Sequence, residues 1–204
     1  NAPPGTEQRL GLFLLMSREK ADGALSEVLK YTNGDRFRDL AGHKTFTSHW
    51  HMATAVAAMK EIERGGPRAT PDFVKMFRDM NVNIVHLAEF HGDGHPQDPG
   101  PLRLPELDAM FAECRRLSSS DLLFLPGEEA NVHFGAATPV QGQHPGHWLY
   151  IFPKPVHWIM RRDANEPFVT NDTKFGKLYR VGNRDEMLRL LREEQGLAWT
   201  AHAR

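Results

Sequence analysis

Stretches with helical spacing alternate with short apolar runs along most of the chain, and several of those runs end in histidine or glutamate. A helix-then-strand rhythm restricts the fold more than any single motif, because parallel strands need a crossover between them and a helix is the usual one. An apolar strand is read over Leu10–Ser17, a helix over Gly23–Tyr31 capped by Asp22, and a turn over Thr32–Asp35. Lys44–Ser48 reads as a strand running into His49-Trp50-His51, and Ala53–Arg64 as a helix stopped by Gly65-Gly66-Pro67. The pattern then recurs as helix Pro71–Met80, strand Asn83–Phe90, a long loop Gly92–Pro105, helix Glu106–Leu117, and strand Leu122–Leu125 broken at Pro126-Gly127. Strand Trp148–Phe152, helix Asp185–Glu194 and strand Gly196–Thr200 complete the reading. The expectation is an α/β domain with a mainly parallel sheet and helices outside it.

Composition narrows the function. With 25 basic against 26 acidic residues, the chain lacks the positive excess that a nucleic-acid clamp needs. No apolar run approaches the ~18 residues of a membrane span. The single cysteine, Cys114, excludes an internal disulfide scaffold and a thiolate zinc cluster, and its place among apolar helix residues reads as core. There is no Gly-x-Ser-x-Gly elbow, phosphate-cradling loop or dinucleotide fingerprint. What stands out is 11 histidines in 204 residues, histidine being the commonest metal ligand.

Their placement is ordered. His49 and His51 are two apart, so on a strand both imidazoles project from one face while Trp50 turns away. Glu89 and His91 repeat the relation before Gly92-Asp93-Gly94, with His95 following in the loop and His86 earlier in the strand as a core or supporting group. Glu128 and Glu129 follow Pro126-Gly127; in extended backbone they face opposite ways, so only one can join the histidines. His147 opens the strand at Trp148, and His202 ends an apolar strand. Singly, each also reads as a core or surface residue.

In order, these motifs resemble the PHP family, the polymerase-and-histidinol-phosphatase metallohydrolases. The residues that carry the resemblance are Ser48-His49-Trp50-His51, Ala88-Glu89-Phe90-His91, Pro126-Gly127-Glu128-Glu129, Gly146-His147-Trp148-Leu149 and Thr200-Ala201-His202-Ala203. The resemblance implies a distorted (β/α) barrel, TIM-like, incomplete at its C-terminus, formed by one domain over residues 1–204. Residues 1–43 would be a strand–helix lead-in and 44–204 the motif-bearing portion. It further implies two or three divalent ions, zinc, manganese or iron, held by His49, His51, His91, Glu129, His147 and His202. The family's Asp-His pair is absent: Phe90 precedes His91, and Glu89 substitutes only by reaching from one residue further back. Ala203 stands where a proline is usual, and Arg204 precedes the closing Asp-x-His motif, an expectation either of a piece of a longer protein or of a shortened relative.

The implied activity is metal-dependent hydrolysis, with a phosphate ester of a small molecule as substrate. Lys154, Arg161 and Arg162 are either phosphate contacts or plain surface. Two other readings stand beside it: a metal-binding domain without catalysis, structural or regulatory in a larger protein, and an ordinary α/β protein with unrelated histidines.

Overall fold

The computed structural model describes residues 5, 16, 18, 20–32, 36–51, 64–65, 68–89, 103–130 and 148–201. They fall in two compact units, Asn1–Arg38 and Asp39–Arg204. The first contains helix α1, Ala21–Thr32, where helical spacing placed one. The strand expected over Leu10–Ser17, the helix over Ala53–Arg64 and the turn after Thr32 fall wholly or largely outside the described residues.

The second unit begins with strand β1 (Phe46–Trp50), helix α2 (Asp72–Asp79), strand β2 (Ile84–Glu89), helix α3 (Arg103–Leu117) and strand β3 (Leu123–Ala130). Strands β4 (Trp148–Ile151), β5 (His157–Ile159), β6 (Val169–Asp172) and β7 (Gly176–Arg180) come next, then helix α4 (Arg184–Glu193) and strand β8 (Leu197–Thr200). Five strands form one curled, mixed sheet in the order β1-β2-β3-β4-β8, and β5-β7-β6 form a small second sheet.

This corrects the barrel expectation. A (β/α) barrel needs parallel strands, each followed by a helix, closing on themselves. Here β1, β2 and β3 are parallel, but β4 runs antiparallel to both β3 and β8. The physical reason lies after Trp148: residues 148–183 hold four short strands and no helix that serves as a crossover. The chain therefore builds a separate three-stranded sheet there instead of extending a parallel one. The mainly parallel sheet is corrected on the same ground.

A second correction concerns Pro126-Gly127. The pair does not end a strand; β3 runs through it, with Leu87 opposite Pro126 and Ala88 opposite Gly127. Pairing with β4 starts only at Gly127. Pro126, which lacks an N–H, thus stands where β3 has a described neighbour on one side alone. Helix α3 also begins earlier than the expected Glu106, because Pro105 sits in its first turn, where the missing N–H costs no helical bond.

Local chemistry explains the elements. Val74 and Phe77 give α2 its buried stripe, and the helix stops in a left-handed residue, Asn81, at φ 60°. The Val82 N–H then donates to Phe77 O at 2.9 Å and the Asn81 N–H to Arg78 O at 3.0 Å, the paired bonds of a Schellman stop. In α3, Leu104, Leu107, Met110, Phe111, Cys114 and Leu117 are all buried, the i, i+3, i+4 pattern of a core-facing helix. The Asn183 side chain caps α4 by accepting from the Glu186 N–H at 3.0 Å.

Helices α2 and α3 cover one face of β1–β3. Val85, Leu87 and Phe124 pack there with Phe77, Leu107 and Met110, joined from the small sheet by Ile159 and Leu178. A second core gathers Tyr150, Trp158, Tyr179, Met187 and Leu190. Each such side chain contributes roughly 1.5–3 kcal/mol through burial. Among the described residues, no helix is long and apolar enough to cross a membrane.

Candidate metal centre

The site lies on the opposite face of the five-stranded sheet, and a register irregularity in β1 puts it there. Phe46 pairs with Ile84 and Thr47 with Val85, but Trp50 pairs with Leu87, so β1 advances four residues while β2 advances three. Strict alternation would give Trp50 the face of Phe46 and would drive His49 and His51 into the apolar core with Thr47. The extra residue reverses the parity. Trp50 turns inward against Phe77, ring centroids 4.9 Å apart. His49 and His51 consequently share the face that carries His86 on β2 and Glu129 on β3, two strands away.

There the three groups meet. The Nε2 atoms of His49 and His51 are 2.7 Å apart, and each is 2.7 Å from Glu129 Oε2. Glu129 is fully buried; the imidazoles are 27% and 37% exposed, so the cluster has a protein floor and a solvent-facing side. Burial lowers the pKa of His51; the Glu129 carboxylate raises it and His49 lowers it, with a net downward shift. Among the described residues this is the one group of three His, Cys, Asp or Glu side chains able to hold a metal ion.

Proton counting tests whether the residues fit an ion. A ring nitrogen is either a donor or an acceptor, never both, and an ionised carboxylate only accepts. If both Nε2 atoms carry protons, the two N–H groups oppose each other. If one is bare, its lone pair faces the carboxylate. No assignment with Glu129 ionised satisfies all three edges of the triangle, whereas a cation shared by three lone pairs does. Donors at ~2.1 Å from one ion stand about 3.0 Å apart when they meet at a right angle, slightly wider than the 2.7 Å here.

His86 lies beside this triangle, fully buried. Its Nδ1 is 2.8 Å from the Ser48 carbonyl oxygen, at the irregular part of β1, and its Nε2 is 3.2 Å from the Tyr150 carbonyl oxygen on β4. Burial lowers its pKa, against the raising effect of those two carbonyls. The ring occupies the space above Gly127, where an added Cβ would sit 1.8 Å from Nε2. Trp199 of β8 flanks it at 5.2 Å between centroids.

Of the residues expected at the site, His49, His51 and Glu129 are brought together. Glu89 occupies the last position of β2, in register with Glu128. His91, His147 and His202, with His95, lie outside the described residues. Glu128 is not surface: it is 4% exposed, and its Oε1 accepts from Trp158 Nε1 at 2.6 Å on the face away from the triangle. Lys154 and Arg162 have structural partners, Glu194 at 2.8 Å for the first and Glu186 for the second, while Arg161 pairs with Asp163. Sequence reasoning missed the parity reversal, for which β1 holds no signal, and the role of Gly127. A glycine inside an apolar strand was a legible sign of close approach.

Fold and site together define a mixed α/β chain with a two-histidine, one-carboxylate cluster on the face of its larger sheet away from α2 and α3. No protein-family model matches the chain, and no curated protein or solved structure does either.

Proposed function

We propose that the chain is a metal-dependent hydrolase that holds a divalent ion with His49, His51 and Glu129 and acts on phosphate esters of small molecules. The observation that carries the reading is the 2.7 Å triangle of ligand atoms, whose lone pairs a cation reconciles when Glu129 is ionised. Order of motifs along the chain, similar to that of PHP-type metallohydrolases, supports the substrate class; the barrel is no part of the proposal.

A divalent ion bound there supplies a water acidic enough to ionise near neutral pH and a Lewis acid for a phosphoryl oxygen. The chain's own part is to hold and to charge that centre. His49 and His51 present neutral lone pairs, and the burial that lowers the pKa of His51 favours that form. Glu129, rigid in the centre of the sheet, supplies one negative charge, which leaves the centre cationic toward an anionic ester. Any second or third ion would draw on His91, His147 and His202, since Glu89 shares the face of Glu128 and not that of Glu129.

The test is metal content per chain, by elemental analysis of untagged protein, followed by hydrolysis of p-nitrophenyl phosphate with the metal found. Bound zinc, manganese or iron, with turnover lost in His49→Ala/His51→Ala, supports the proposal. Metal without turnover leaves a binding domain and removes the hydrolase. No metal after soaking overturns both.

A further inference from the structure

We infer that His86 is a positioning residue for the His49–His51–Glu129 centre, holding the irregular stretch of β1 in the register that aims both imidazoles at Glu129; the inference rests on the metal-site reading above. A strand that carries an extra residue loses part of its ladder and with it the bonds that fix its side chains. The Ser48 carbonyl, immediately before His49, lies in that stretch, and His86 Nδ1 meets it at 2.8 Å. A neutral imidazole has one N–H, and this shorter contact takes it.

The ring itself cannot drift. It is fully buried, seated over the bare Cα of Gly127, with Nε2 against Tyr150 O at 3.2 Å and Trp199 and Phe46 on its flanks. His86 thus ties β1 to a seat built by β3, β4 and β8 without belonging to the triangle. An ordinary core position between Ile84 and Ala88 would take an aliphatic side chain, which meets no carbonyl. The glycine makes room for the ring, and the ring meets the carbonyl that the irregular stretch of β1 presents.

The experiment is zinc affinity by chelator competition for wild type, His86→Asn, His86→Gln and His86→Leu, with circular dichroism to establish folding. Asparagine places its amide nitrogen where Nδ1 was and keeps the donor to Ser48. Glutamine reaches only the Nε2 position, and leucine fills the space with no donor. Expected are losses of about 10–100-fold for the glutamine and leucine variants, the range typical of outer-shell partners of a metal, with asparagine restoring most of the affinity. If His86→Leu does not fold, the comparison of asparagine with glutamine decides. Equal zinc affinity across the series, or asparagine no better than glutamine, overturns the inference while leaving the metal site standing. A wild-type protein that binds no zinc, manganese or iron overturns the metal-site reading itself.

Discussion

Gly127→Ala is the perturbation on which this structure commits itself most sharply. In a strand with ordinary space, replacing glycine by alanine stabilises by about 0.4–1 kcal/mol, because the unfolded chain loses freedom. Here the new methyl would lie 1.8 Å from His86 Nε2, 2.3 Å from its Cδ2 and 2.8 Å from Tyr150 O. Ordinary contact would require the imidazole to retreat by about 1.5 Å or more, and Phe46, Trp199 and the β1 backbone leave no room behind it. Overpacking of this kind costs typically 1–3 kcal/mol. Displacing the ring also strands the Ser48 carbonyl, about 1–3 kcal/mol more. The total is roughly 2–6 kcal/mol, and at ~2–4 °C per kcal/mol for a chain of this size the melting temperature falls by ~4–24 °C.

The assay is a double-mutant cycle read by urea unfolding: wild type, Gly127→Ala, His86→Ala and the pair. With the ring gone only the Tyr150 contact remains, so the alanine should cost about 1 kcal/mol or less in the His86→Ala background. Coupling of about 2 kcal/mol is expected. Additivity within ~0.5 kcal/mol would refute the reasoning, since independent sites behave that way.

Other consequences are open to measurement. Glu129→Gln should weaken metal binding by more than about 100-fold, beyond the usual cost of an outer partner, whereas Glu128→Gln should alter stability through its Trp158 bond and leave metal affinity nearly unchanged. Equal loss from both would mean that the two faces of β3 are misassigned. Burial pushes the Glu194 carboxyl up, but hydrogen bonds from Lys154, Lys177 and Tyr179 outweigh it and hold its pKa at about 2. A depressed carboxylate stabilises the fold above its unfolded pKa, near 4.5, and loses that contribution as pH falls toward 2. Wild type should therefore lose about 2–3 kcal/mol more than Glu194→Gln between pH 5 and pH 2; parallel pH profiles of the two urea midpoints would count against it. Asn183→Ala should cost about 1 kcal/mol by removing the α4 cap, checked by thermal melting, and Asn183→Asp should restore most of it.

What could be read in the chain depended on the range of the forces involved. α2, α3 and α4 were legible because their apolar spacing is local: Val74 with Phe77, Leu107 with Met110 and Phe111, Met187 with Leu191. Strand direction was not, since it depends on what joins the strands, and the stretch from β4 to β7 looks much like other strands until the missing crossover helix is noticed. At the site, the i, i+2 spacing of His49 and His51 did place them on one face. That the face is Glu129's and not the core's follows from the register with β2, a pairing invisible in either strand alone. Pro126-Gly127 carried turn chemistry in its composition; its actual reason, the volume of His86, belongs to a residue 41 positions away from Gly127.

The extra residue of β1 also bears on which changes the gene can tolerate. Side-chain identity at Thr47 and Ser48 is loosely constrained, and so is the number of residues before His49. Deleting one would let β1 and β2 advance in step, so that plain alternation would keep Trp50 opposite Leu87 and both imidazoles on the face of Glu129. Substitution of Ser48 by alanine should pass almost unnoticed in a thermal melt, and removal of Ser48 should still leave cooperative unfolding and metal retention; loss of metal retention in a folded deletion variant would count against the parity argument. A lineage carrying this site is bound to its two histidines and freer in the length of strand that precedes them.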